Sequence, residues 1–105
     1  MISRIWFGWT TTQNADAYEK LLKSEIFPGI LEKKIPGLRK IELGRWPNGD
    51  EVEFVTTMWF DSLDAVKAFA GPRYEVAVVP PEARALLGGF NETAEHFEVR
   101  ETREV

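Results

Sequence analysis

Cysteine is absent from this sequence, histidine occurs once, and no run of basic residues gathers on any segment. Without cysteine there is no disulfide framework, no thiolate nucleophile and no cysteine-ligated zinc or iron–sulfur site, and a reducing cytoplasm is the simplest setting. One histidine among scattered Asp and Glu is a poor donor set for a transition metal, so no metal is expected. Thirteen basic against seventeen acidic side chains leave a formal charge of −4. Lys33-Lys34 is no more than a pair, so the electrostatic footprint of nucleic-acid binding is missing. No apolar run approaches the roughly 20 residues needed to span a bilayer, and the N-terminal segment, with Arg4 inside an alternating pattern, is unlike a signal peptide. Gly88-Gly89 lacks the pattern of a phosphate loop and no Gly-rich dinucleotide fingerprint follows a strand, so no cofactor is expected. Ser3, Ser24 and Ser62 have ordinary strand, helix and cap explanations, which leaves no serine singled out as a nucleophile.

What remains is a chain of 105 residues, 44% hydrophobic, sized for one domain over 1–105 with one core. Ile2 to Thr10 is a strand candidate with apolar side chains on both parities, which predicts burial on both faces. Tyr18, Leu21, Leu22, Ile26 and Ile30 recur at helical spacing over Ala15 to Lys34. Pro28-Gly29 predicts a kink or split of that helix near residues 24 to 28, because proline removes an amide and its ring clashes with the preceding turn. Pro36-Gly37 turns the chain into Leu38 to Arg45, and Pro47-Asn48-Gly49-Asp50 predicts a hairpin, since Asn-Gly tolerates positive φ. Val52 to Phe60 is a second strand apolar on both parities. Asp61 or Ser62 caps a helix whose inward stripe is Leu63, Val66 and Phe69, ending at Gly71. Pro80-Pro81-Glu82 opens a further helical turn, and a last strand is expected over Asn91 to Arg100.

The order β-α-β-β-α-β is the split ferredoxin-like pattern, an α+β fold with a four-stranded antiparallel sheet whose first and third strands are central. Those are the two strands with apolar side chains on both faces. Helices of one layer cover one face only, so Trp and Phe on the other face call for a second cover. A homodimer through the sheet is the expected one, because large exposed apolar patches mark interfaces.

Three segments carry a family resemblance: FVTTMWFDSLDAVKAF over residues 54–69, IPGLRKIEL over 35–43 and EHFEV over 95–99. With them the chain resembles the antibiotic biosynthesis monooxygenase group of the dimeric α+β barrel superfamily over nearly its whole length. The resemblance implies a homodimer with its sheets face to face and a ligand pocket in each subunit between sheet and helices. Characterised members oxidise polycyclic phenolic anthrones with O₂ and no metal, flavin or nicotinamide, whereas relatives degrade haem and others have no known activity. For the haem-degrading branch, Trp59 matches the strand-end Trp, but the segment Tyr74 to Val79 has no axial His and Trp6 stands near the expected Asn.

Cofactor-free oxygenation of a small flat aromatic or phenolic ligand requires a cavity that excludes water, a base to ionise the phenol and a donor for the oxyanion. Trp6, Trp9, Trp59 and Phe69 are candidate walls. His96, with a reference pKa of about 6.5, is the candidate base. Tyr74, Arg84 and Asn91 are candidate donors to the anion. Each has a plainer reading: core or dimer packing for the aromatics, an exposed edge-strand position for His96, and a surface helix position for Arg84. A non-catalytic ligand-binding or stress-associated barrel is the alternative to an enzyme.

Overall fold

The computed structural model describes residues 1–105. Its centre is an antiparallel pair, β1 (Ile2–Thr11) and β3 (Glu51–Phe60), aligned through ten consecutive residue pairs from Ile2↔Phe60 to Thr11↔Glu51. β2 (Leu38–Asn48) lies on the other edge of β3, with a register shift between Leu38 and Lys40. The sheet order is β2-β3-β1-β4, with β5 also on β1, so the first and third strands are central as the ferredoxin-like pattern requires. The two-residue turn joining β2 to β3 consists of Gly49 and Asp50, with Gly49 at φ 62, while Asn48 still pairs with Glu51. The turn therefore falls one residue later than an Asn-Gly turn would place it.

The outer strand corrects the expectation of a single span over Asn91–Arg100 and makes the sheet five-stranded. β4 (Gly89–Phe90) pairs with Gly8 and Trp9, and β5 (Glu95–Glu98) pairs with Ile2 to Ile5, both along one edge of β1. Between them the backbone turns aside to bond with another segment. Ala77 N–H donates to Glu92 O at 2.9 Å and Ala94 N–H to Glu75 O at 2.8 Å, forming an isolated bridge at Val76↔Thr93. Backbone groups that would have continued the ladder find their partners there.

Side chains alternate along a strand, so the β1–β3 register fixes two faces. Ile2, Arg4 and Trp6 share one face with Phe54, Met58 and Phe60, and helices cover it. The covering layer begins with a helical rod: α1 (Ala15–Leu21), a π-helical stretch over Leu22–Ile26, and α2 (Phe27–Glu32). The rod does not break at Pro28. It widens by a π turn, with Phe27 N–H reaching back to Leu22 O, and Pro28 falls in the first turn of α2, where an absent amide is tolerated. α3 (Leu63–Ala70) starts at Ser62, whose Oγ accepts from Ala65 N–H at 3.2 Å, and ends at Gly71 with φ 87. Asp61 does not cap this helix. Its carboxylate takes a two-pronged bond from Arg39, with Nε to Oδ1 at 2.7 Å. Leu63, expected in the inward stripe, is exposed in the first turn, while Val66 is completely buried. α4 (Pro81–Leu86) packs beside α1.

The buried side chains form two clusters on the covered face. Ala15, Tyr18, Leu22, Val52, Phe54 and Ala83 make one, in which Tyr18 meets Phe54 edge-on at 4.8 Å between ring centres. Met58, Phe60, Ala65 and Val66 make the other, with Phe69 tilted against Phe60 at 6.0 Å. Gly37 joins the helical rod to β2 at φ 88, and a Cβ there would lie 2.7 Å from that of Ala65, so glycine is required on both counts. Phe60 is 0% exposed. Truncating Phe60 to Ala should cost about 3–5 kcal/mol, read as the loss in urea-unfolding free energy. A loss under about 1 kcal/mol would mean that this cluster collapses readily around the gap.

Candidate functional site

The two clusters do not close on each other completely. Between them, under the helices, lies a cavity of about 60 Å³ lined by fourteen residues, eleven of them hydrophobic. Arg4 and Trp6 of β1 and Thr56 and Met58 of β3 form its floor, Leu22, Ile26 and Ile30 of the helical rod one wall, and Phe69 of α3 another. Val78 to Pro80, in the loop before α4, complete it. The volume holds a few water molecules and is well below the roughly 300 Å³ at which ordinary ligand sites begin.

Arg4 is the charged group of this cavity, and only 4% of it is exposed. Its side chain crosses from β1 to the segment that replaces the missing stretch of outer strand. Nη1 donates to Tyr74 O and to His96 Nε2, the latter at 3.0 Å, and Nη2 donates to Val76 O at 3.2 Å. The guanidinium carbon stands 5.6 Å from the centre of the Phe69 ring. None of the seven ion pairs in the protein includes Arg4. Burial accordingly pulls its pKa down from the usual arginine value, with no neighbouring carboxylate to oppose the shift.

His96 is bound to this arginine. Arginine has only donors, so His96 Nε2 must be the acceptor and the ring proton sits on Nδ1. Burial and the Arg4 charge both lower the His96 pKa, with Glu75 pulling weakly the other way. His96 is therefore not the free base expected from the sequence, because the lone pair that would take a substrate proton is occupied. Tyr74 meets the His96 ring edge-on at 5.2 Å, and its own pKa is raised, chiefly by the hydrogen bond to Glu75. What Tyr74 offers Arg4 is its backbone carbonyl.

Of the other residues proposed from sequence, Trp6 and Phe69 line the cavity and the rest do not. Trp59 and Trp9 lie on the opposite, uncovered face of the sheet. They occupy the alternate parity to Met58, Phe60 and Gly8, Trp59 with Lys40 Nζ 4.8 Å from its ring and Trp9 packed flat on Gly89. Arg84 is exposed on α4, with its guanidinium 5.1 Å from the Phe90 ring. Asn91 supplies its backbone carbonyl to Trp6 Nε1 at 2.7 Å, while the residue itself is exposed.

Twelve of the fourteen lining residues were absent from the sequence-based set, and two of them, Arg4 and Tyr18, carry hydrogen-bond donors of chemical interest. Arg4 had a signal, a charge on the parity of Ile2, Trp6 and Gly8 in a central strand. Tyr18 gave none, because it fits the apolar stripe of a helix. Burial raises the Tyr18 pKa to about 12, so its hydroxyl stays protonated.

No family model matches the chain, and no curated protein sequence matches it. The fold places it among ferredoxin-like α+β proteins. A candidate antibiotic biosynthesis monooxygenase from Bacillus cereus, seen in a crystal structure, is similar to it, with a TM-score of 0.60 over 99% of this chain and 94% of that chain at 12% identity. The chain thus has the antibiotic biosynthesis monooxygenase-like fold that its segments 35–43, 54–69 and 95–99 resemble. No helix is long and apolar enough to cross a membrane.

His96 is the sole histidine, which gives a clean test of its bond to Arg4. Its folded pKa lies below the unfolded value of about 6.5, so the unfolded chain takes up the proton first. Stability from the neutral ring is complete above that value and is lost as pH falls through the lower, folded one. Melting temperature should decline as pH falls through and below about 6.5, and His96→Gln, which keeps an acceptor that does not titrate, should flatten the decline. Equal slopes for the two proteins would show that His96 titrates freely.

Proposed function

We propose that this protein is a homodimeric α+β barrel that binds a small flat aromatic or phenolic molecule in the cavity and oxidises it with O₂ without a cofactor. The observation that carries the reading is the cavity itself, a partly open, mainly apolar space beside one buried cation, in a monooxygenase-like fold. Cofactor-free oxygenation uses an ionised substrate as the reductant. At an acidic ring CH₂, the carbon and O₂ become C=O and water, a four-electron oxidation in which the substrate carbon supplies all four electrons and both hydrogens of the water. The protein's part is to exclude water and stabilise the anion.

The volume restricts the substrate. About 60 Å³ is smaller than a cavity that holds benzene, so even a one-ring ligand, and a polycyclic phenol far more, would require Val78 to Pro80 or the π turn at Leu22–Ile26 to move outward. Oxygen uptake with a panel of quinols and anthrones, with and without added haemin, tests the activity. Uptake that depends on protein and on a small phenol supports oxygenation, uptake only with haemin supports the haem-degrading branch, and none at all supports binding without turnover. That last reading has its own observation in favour, because the His96 lone pair is held by Arg4.

The dimer rests on the uncovered sheet face. Ile5, Phe7, Trp9, Val55 and Trp59 are half-buried there, flanked by Trp46 at 76% and Phe97 at 53% exposure. A second copy is the occupant this face fits, with apolar centres meeting and Lys40 and Glu42 at the margin. Gel filtration with light scattering should give twice the 12.0 kDa chain mass, and Phe7→Glu should halve it. A monomeric parent protein would remove the dimer from the proposal and leave the cavity reading intact.

A further inference from the structure

We propose that Arg4, with the Tyr18 hydroxyl as second donor, is an anion anchor, and that the cavity selects small acids, ligands with a one-ring or short branched apolar body and a single carboxylate or phenolate oxygen. The inference rests on the cavity being the ligand site and names the class of ligand it takes.

A buried guanidinium normally carries a carboxylate partner, because an uncompensated charge away from water is costly. Arg4 has none within ion-pair distance, although the chain has seventeen acidic side chains, more than its basic ones. Its protein contacts are two backbone carbonyls and a neutral imidazole nitrogen. These engage both Nη1 protons and one on Nη2. A purely structural clamp between β1 and residues 74–76 accounts for those three bonds and leaves Nε–H and the second Nη2 proton without a protein acceptor.

No fully buried side-chain nitrogen or oxygen in the protein lacks a partner, so Nε is not sealed off. Arg4 lines the cavity, and so that is where its remaining donors are reachable. The same reasoning applies to Tyr18. The residue is 1% exposed and lines the cavity, and its hydroxyl bonds to no protein group, yet it is not sealed off either. Its high pKa keeps the proton in place for donation. The rest of the lining is almost entirely apolar and holds no carboxylate. Donors outnumber acceptors around a small apolar space that contains a net positive charge, and the complementary ligand is an anion with a hydrocarbon body. His96 and the Tyr74 carbonyl act as positioning groups, since they hold one end of the fork and do not engage Nε.

Calorimetric titration of the intact protein with matched pairs tests this: benzoate against benzamide, and isobutyrate against isobutyramide. Each pair has nearly the same shape and differs in charge. The acids should bind about tenfold or more tightly than their amides, as charge-assisted bonds to a buried donor require. Arg4→Met should abolish that preference, Arg4→Lys should retain part of it, and Tyr18→Phe should reduce it. Equal affinity for acid and amide in the parent protein would overturn the anion anchor while leaving the cavity as a ligand site. Saturable binding of none of the four would overturn both. If Arg4→Met fails to fold by circular dichroism, the acid-to-amide ratio of the parent protein and of Tyr18→Phe still decides.

Discussion

The ten-pair register between β1 and β3 determines nearly everything else about this molecule. Both strands are apolar on both parities, so whichever register formed would place large side chains on each face, and one layer of helices covers only one of them. With Ile2 opposite Phe60, the residues Arg4, Trp6, Met58 and Phe60 are turned toward the helices, and Phe7, Trp9, Val55 and Trp59 are turned away. A slip of one residue would exchange the two sets, carrying Trp59 into the core and Met58 out of it. Phe54, Phe60 and Val66, all close to complete burial, hold the register against such a slip because each meets its partners only in this alignment.

The same parity explains how far the sequence could be read. The two central strands, the stop at Gly71 and a helix cap at Asp61 or Ser62 were legible, because they follow from local chemistry and period. The face on which Trp59 lies was not, for a strand apolar on both parities carries no sign of which side the helices will take. The outer strand failed for a related reason: what draws Glu92 to Ala94 off β1 is a pair of backbone bonds, Ala77 to Glu92 and Ala94 to Glu75, between residues 15 and 19 apart in sequence and invisible to pattern. His96 was named from the sequence as the candidate base, and its hydrogen-bond partner, Arg4, is 92 residues distant in sequence. Tyr18 was read as core, and by burial it is core. Only the unpartnered hydroxyl distinguishes it from the other apolar positions of its helix.

Arg4 ties together parts of the fold that the backbone ladder leaves separate. It starts on a central strand and bonds the loop at Tyr74 and Val76 and the outer strand at His96, spanning the gap where β4 gives way to β5. An apolar residue of similar length would fill the space without linking three segments. The cost of burying the charge is met only in part by two carbonyls and a neutral imidazole, so the site is left with unspent capacity for an anion. That incomplete compensation separates it from the surface pairs of Arg39 with Asp61 and Arg45 with Asp16 and Glu19, which are matched and exposed.

Two departures from regular structure frame the cavity, and both set its size. The π turn over Leu22–Ile26 shifts the following residues around the helix axis, so that Leu22, Ile26 and Phe27 all reach the same space, which a regular helix would not bring to one stripe in quite this way. Opposite it, the coil leading to α4 presents Val78 and Val79 before Pro80 ends the approach. A loop and a π turn are easier to displace than the ladder beneath them, because fewer backbone bonds must break. The floor that carries Arg4 is therefore fixed by β1 and β3, while the walls that limit the ligand's bulk belong to the more adaptable layer. In the proposed ligand site, charge recognition and size selection thus fall to different parts of the fold, and a change in one can occur without loss of the other.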